Sequence, residues 1–250
     1  MVMLDHIVAW CDERTRRAAF QDFPGAENGL QLENNGEVTK IGAAVDAGEV
    51  PFARAIEAGV DFLLVHHGMF WSPVVPLTGR HYRKIRHAME GNLAVYGSHL
   101  PLDAHPEIGN NAQLAAALGF AADEFFLPHA GEMMGLIARA NCTRPGLATR
   151  LQRLFPRVIS IEKGSERLER VAILTGSGRS ALPHLTAHGV DTLITGELRQ
   201  EHFNLAEEMG FNLYCCGHYA TEVFGVKALA AEVAGRFGLE WEFIATDCPL

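Results

Sequence analysis

The sequence predicts an α/β protein made of a duplicated α/β unit, with mixed sheets flanked by helices and a metal site between the two halves. Three observations carry this prediction. Short unbroken apolar runs, Phe62-Leu63-Leu64-Val65 foremost, follow helix-like segments closed by glycine, as parallel strands buried on both faces do. The pattern then returns: Val171 to Gly176 mirrors Ile41 to Asp46, and Gly189-Val190-Asp191 mirrors Gly59-Val60-Asp61, both 130 residues apart (171 − 41 and 189 − 59). Tyr214 to His218 echoes Tyr96 to His99 at a separation of 120 (217 − 97), so the second copy has the shorter connection. Finally, several of these strands run straight into histidines and carboxylates. The halves are taken as residues 1–128, which the C-terminal segment could complete, and 129–250.

Composition sets the outer limits. A chain of 250 residues can bury one large or two modest cores. No apolar stretch approaches the roughly 20 residues of a membrane span, and Met1-Val2-Met3-Leu4-Asp5-His6 is no signal peptide, so a cytoplasmic protein without membrane contact is expected. Five cysteines, an odd number without zinc-ribbon spacing, indicate neither a disulfide framework nor a thiolate cage. A net charge of -9 argues against nucleic acid as a partner, because phosphate-backbone binding draws on many Lys and Arg contacts. Small anions are compatible with it if bound cations reverse the local field.

The elements follow in order. Leu4, Ile7, Val8 and Cys11, with Ala18 to Phe20 after them, form an amphipathic helix over residues 3–20 that ends before Asp22-Phe23-Pro24-Gly25. Asn28 to Leu32 is a turn into a strand, Ile41 to Asp46 a strand, and Pro51 to Ala58 a helix. The strand from Phe62 carries His66 and His67 at its carboxyl end, where open α/β sheets bind ligands, and Gly68 permits a sharp turn. Neighbouring strand residues face opposite sides, so the two imidazoles are expected to converge only where the strand stops and turns. Tyr82 to Glu90 is a helix with a basic outer side. Leu93 to Tyr96 is a strand leading into Ser98, His99, Asp103 and His105, and Asn110 to Leu118 is a helix. Residues 125–165 suggest strands flanking a helix near Leu147 to Leu154, without visible chemistry. His218 and Glu222 lie four apart at the start of a helix, which puts both on one face.

Each of these groups has a plain reading: a lone histidine is more often a hydrogen-bonded core residue, and Asp103 could be a helix cap. Together, however, His66, His67, Asp103, His218 and Glu222 supply three imidazoles and two carboxylates at or just after strand ends. That is enough for two divalent metals if one carboxylate bridges. Val65 to Trp71, Leu100 to Gln113, Ile194 to Glu197 and Gly217 to Glu222, with Asn28-Gly29-Leu30-Gln31, resemble the GTP cyclohydrolase I type 2 homologues, the Nif-three-like dinuclear metal proteins. The resemblance covers nearly the whole chain. It implies two metal ions on those five residues, with Glu222 as the bridge, His67 and Asp103 on one ion, and His66 and His218 on the other. It also implies a ring-shaped homohexamer.

The leading functional expectation is a metal-dependent hydrolase acting on a small phosphorylated, cyclic amide or nucleotide-like substrate through a metal-activated water. Glu197 and His99, at equivalent strand ends, are candidates for proton transfer or for orienting a ligand imidazole, beside a purely structural role. A metal storage, delivery or insertion protein without turnover is the alternative, GTP cyclohydrolase chemistry a further one, and a scaffold braced by metal a third. Zn, Fe, Mn, Co and Ni all accept such ligands. Gly176 to Ser180 could cradle a phosphate, and Trp71, Tyr82 and Tyr219 could stack on a base, although glycine turns and aromatics of this kind are commonly structural.

Overall fold

The computed structural model describes residues 1–71 and 75–250. These form two compact units, Met1–Leu102 with Gly225–Asp247, and Asp103–Phe224 with Cys248–Leu250.

In chain order the elements begin with β1 (Val2–Met3), α1 (Leu4–Arg14), β2 (Gly29–Leu32), β3 (Glu37–Val38), β4 (Lys40–Asp46), α2 (Glu49–Glu57), β5 (Phe62–His67), α3 (Gly79–Glu90), β6 (Ala94–Gly97) and the single turn α4 (Leu100–Asp103). Then come α5 (Asn110–Ala117), β7 (Ala121–His129), β8 (Glu132–Thr143), α6 (Arg144–Leu154), β9 (Ile159–Glu162), β10 (Arg167–Ser177), β11 (Thr192–Glu197), α7 (Glu201–Met209), β12 (Asn212–Cys215), α8 (His218–Phe237) and β13 (Glu240–Phe243). The amphipathic stretch expected to run to residue 20 stops earlier. Arg16 takes a left-handed conformation (φ 53°), and a short 3-10 turn, Arg17–Ala19, replaces the last helical turn.

The first unit carries a five-stranded mixed sheet in the order β13-β4-β5-β6-β2, parallel except for β2. Phe62, Leu63, Leu64 and Val65 are buried on both faces of β5, and Phe52, Ala55 and Ala88 from the flanking helices, with Val60 from the connection, pack into the same core as Leu63 and Val65. Asp61, just before β5, ties it to its neighbour. Its carboxylate accepts the backbone N–H of Thr39 (2.9 Å) and of Lys40 (3.0 Å) at the beginning of β4.

The second unit has a six-stranded mixed sheet, β7-β8-β10-β11-β12-β9, whose centre β10-β11-β12 is parallel like β4-β5-β6. The copies share a register: Ile41 pairs with Phe62, and Ala172 with Leu193, each across 21 residues (62 − 41 and 193 − 172). α6 starts where a helix should. The Thr143 hydroxyl accepts the Gly146 N–H at 3.3 Å and Pro145 occupies the first turn, where its missing N–H costs nothing. The helix buries Leu147 and Leu151 with Leu114, Val171, Ile194 and Tyr214. Truncating Leu151 to alanine is expected to lower stability by about 2–5 kcal/mol in urea unfolding, from lost transfer energy and the cavity left behind. Among the described residues no helix is long and apolar enough to cross a membrane.

Candidate metal centre

In the first unit, β5 does not stop before its histidines. His67 still pairs with Asp46 in the ladder, and Val65 with Gly97. The His66 and His67 rings nevertheless come to 4.9 Å between centroids, so the turn follows the pair rather than separating it. β5 ends at His67, so the strand stops and turns at Gly68 as expected. Gln31 fixes the turn that follows. Its Oε1 accepts the Met69 N–H at 2.6 Å, its Nε2 donates to the carbonyls of Ala26 and Glu27, and a Cβ on Gly68 would stand 2.1 Å from that nitrogen.

Three imidazoles meet here, each held from behind through Nδ1. His66 Nδ1 lies 3.0 Å from the Ser98 carbonyl, His67 Nδ1 2.9 Å from Asp46 Oδ1, and His99 Nδ1 2.8 Å from Asp22 Oδ1. Carbonyls and carboxylates only accept, so Nδ1 carries a proton in all three, and Nε2 is the nitrogen left to meet a cation. One ring nitrogen from each of His66, His67 and His99 lies within 4.8 Å of the others, the grouping a metal ion requires. Asp22 is itself fully engaged. Its Oδ2 accepts from Asn28 Nδ2 and the Leu100 N–H, and Asn28 Oδ1 takes the His99 N–H. Burial alone would raise the Asp22 pKa, but the bonds from His99, Asn28 and the Phe23 N–H bring it below the usual carboxylate range. Trp71 leans on this cluster, nearly parallel to His67 at 5.6 Å and 4.4 Å from His99.

In the second unit, Asp103 closes α4, and its Oδ1 accepts from Asn110 Nδ2 at 2.8 Å and, at the long limit of 3.4 Å, from Thr175 Oγ1. Asn111 braces this corner by donating to the Asp103 and Met134 carbonyls and accepting the Thr175 N–H. His105 turns away from metal chemistry. Its Nδ1 accepts the Glu107 and Ile108 N–H groups at 3.1 and 3.2 Å, and so shapes the loop.

His218 and Glu222 share one face of α8 as their spacing requires, with Nε2 3.0 Å from Glu222 Oε1. Glu222 is buried, and exposed Glu197 reaches His218 Nδ1 at 3.1 Å. Glu197 thus does for His218 what Asp22 and Asp46 do for His99 and His67. The hydrogen bond to Glu222 holds the His218 pKa up to about 9 against the opposing effect of burial, and Glu197 adds to the rise. Close backbone packing makes this arrangement possible. Gly176 has φ +63°, and a Cβ there would lie 2.3 Å from Glu222 Oε1; one on Gly196 would lie 2.7 Å from the His218 Cα. Thr221 ties the strand end to the helix by accepting the Gly176 N–H at 3.0 Å.

The glycine turn read as a phosphate cradle spends two of its donors internally: Gly176 N–H goes to Thr221 and Gly178 N–H to the Glu197 carbonyl. Tyr82 is exposed on α3, and Tyr219 donates its N–H to the Leu250 carbonyl. The donor types fit a divalent cation: imidazole nitrogens and carboxylate oxygens, with His218 giving up to a bound ion the proton that Glu222 now holds. Sulfur is a poor addition to the set, since burial pushes the nearby Cys215 thiol up to about 11.

A sequence model for Duf34/NIF3 (NGG1p interacting factor 3) matches residues 2–249. The chain belongs to this family. Among curated members, a Deinococcus radiodurans protein named GTP cyclohydrolase 1 type 2 homolog is 40% identical over 244 residues, covering 96% of this chain and 92% of its own. The Escherichia coli protein of the same name is 36% identical over 247 residues, covering 95% and 96%. Among solved structures, a Thermus thermophilus protein superposes with a TM-score of 0.90 at 39% identity, and the protein ybgI, described as of unknown function, with 0.91 at 33%; both cover 100% of each chain. The Duf34/NIF3 fold is therefore the fold of this chain, as the resemblance implied. What the family residues do here is a question for their chemistry.

Proposed function

We propose that this Duf34/NIF3 protein binds two divalent metal ions through His66, His67, Asp103, His218 and Glu222, with Glu222 as the bridging carboxylate. In this reading it is a hydrolase of small phosphorylated or cyclic amide substrates. The observation that carries the reading is the state of the donors: every imidazole among them has a hydrogen-bond partner that fixes its orientation, Asn110 holds the Asp103 carboxylate, and Glu222 is held against His218. Side chains held this way from behind lose little freedom on binding a cation, and such supporting bonds commonly contribute 10–100-fold to affinity. Bound divalent ions would supply Lewis acidity and lower the pKa of water into the neutral range. The chain's own residues divide the remaining work. Asp46, the Ser98 carbonyl and Glu197 keep the ligand rings in register, and Asn110 steers the Asp103 carboxylate. His99, fixed by Asp22, offers a lone-pair nitrogen beside His66 and His67 that can take a proton.

GTP ring opening, suggested by the relatives' name, needs a triphosphate clamp, and in the glycine turn the Gly176 and Gly178 N–H groups are already bonded within the protein. Cytoplasmic residence and assembly into a ring-shaped homohexamer belong to the same proposal, the latter to be checked by light scattering. The test of the reaction is a turnover screen of phosphate monoesters, phosphodiesters, cyclic amides and GTP, with metal-loaded and chelator-treated protein. Turnover of a phosphate ester or cyclic amide that disappears with chelator and returns with metal is expected. Full metal occupancy without turnover of any of them would favour storage or delivery instead.

A further inference from the structure

A cavity of about 780 Å³ in the first unit lies beside the turn that follows the histidines, within the size range of small-molecule sites. Pro24, Met69, Trp71, Leu77, His81 and Lys84 are among its walls. Two contacts brace it before any ligand arrives: Gln31 holds the Met69 N–H, and Gly25 approaches the Phe70 carbonyl so closely that a Cβ would stand 2.6 Å away. Its apolar side chains are open to solvent, Trp71 at 40% and Leu77 at 62% of full exposure, which a chain normally avoids for clustered large side chains without a use for them. Trp71 belongs both to this cavity and to the histidine cluster, through its contacts with His67 and His99.

Charge narrows the occupant. Helix α3 brings Arg80, Arg83, Lys84 and Arg86 together in a chain whose net charge is -9. Lys84 is the one that reaches the cavity with half-buried His81 beside it, and one of its three N–H donors goes to the Ala47 carbonyl at 3.2 Å. Glu27 also lines the cavity and offers an acceptor suited to a ring N–H. We propose that this cavity binds a planar aromatic phosphate, its ring against Trp71, Met69 and Leu77 and its phosphate at Lys84 and His81. The proposal names a substrate class for the hydrolase reading and rests on that reading only for turnover, because the binding itself uses no metal ligand.

The test is calorimetric titration of chelator-treated full-length protein with 1-naphthyl phosphate, glycerol 3-phosphate and 1-naphthol. The aromatic phosphate is expected to bind at least about ten-fold more tightly than either of the others, since each lacks one of the two contacts. Lys84→Gln should erase its advantage over 1-naphthol, and Leu77→Asp its advantage over glycerol 3-phosphate. Circular dichroism confirms the fold of each variant. Equal affinities for the three compounds, no binding of any, or insensitivity to Lys84→Gln would overturn the proposal. The hydrolase reading fails separately: no metal-dependent turnover alongside this binding pattern leaves the cavity assignment standing. Turnover of aryl phosphates untouched by both substitutions sinks the cavity and spares the hydrolase.

Discussion

Gly176→Ala is expected to lose most of its metal while Gly189→Ala keeps it. Both glycines sit in the left-handed region, at φ +63° and +64°, so alanine pays similar backbone strain at either, roughly 1–2 kcal/mol. Their surroundings differ. A Cβ on Gly189 meets nothing within 4 Å, whereas one on Gly176 lands 2.3 Å from Glu222 Oε1 and 3.1 Å from His218 Nε2. The Glu222 carboxylate is buried and anchored to α8 through its own short stem, so it cannot swing clear as a surface side chain would. The methyl must displace it, and the His218–Glu222 geometry goes with it. Thermal unfolding should therefore drop in both variants, further in Gly176→Ala, and metal affinity should fall by at least about ten-fold only there. Equal metal affinity in the two variants would show that Glu222 holds no metal.

Much of this arrangement was legible in the chain. The run Phe62 to Val65 pointed to a buried strand because it is short, follows a segment closed by Gly59 and ends before Gly68, as doubly covered parallel strands do. The His218 and Glu222 spacing put both on one face of α8 for purely helical reasons, and the contact at 3.0 Å follows. Repetition at 130 residues became the matching parallel cores of the two sheets. What local pattern could not supply is the set of groups behind the ligands. Asp22 reads as an ordinary residue after a helix, yet it fixes His99 across 77 residues of chain, and Asp46 fixes His67 across 21. Asn110 and Asn111 look like the start of an alanine-rich helix, with only their closeness to Asp103 hinting at their use. The Asp46 pairing is set by sheet register and the others by how loops and helix starts pack beside the strand ends, neither of which local pattern reveals. His66 and His67 stand at the end of β5 with the turn at Gly68, as their sequence predicts, and their rings lie 4.9 Å apart although strict alternation points neighbouring side chains to opposite faces.

The central claim is that Glu222 joins His66, His67, Asp103 and His218 in holding two ions, and metal content per chain tests it most directly. The comparison uses protein purified without chelator, native and Glu222→Ala, quantified by mass spectrometry against protein concentration, with unfolding curves to confirm that both remain folded. A bridging carboxylate serves both ions, so its removal weakens two sites through one atom pair, unlike the loss of a terminal ligand. About two ions per native chain, and a sharp loss of both in the folded variant, are the expected result. One ion or none per native chain, or two ions retained after the substitution, would contradict it.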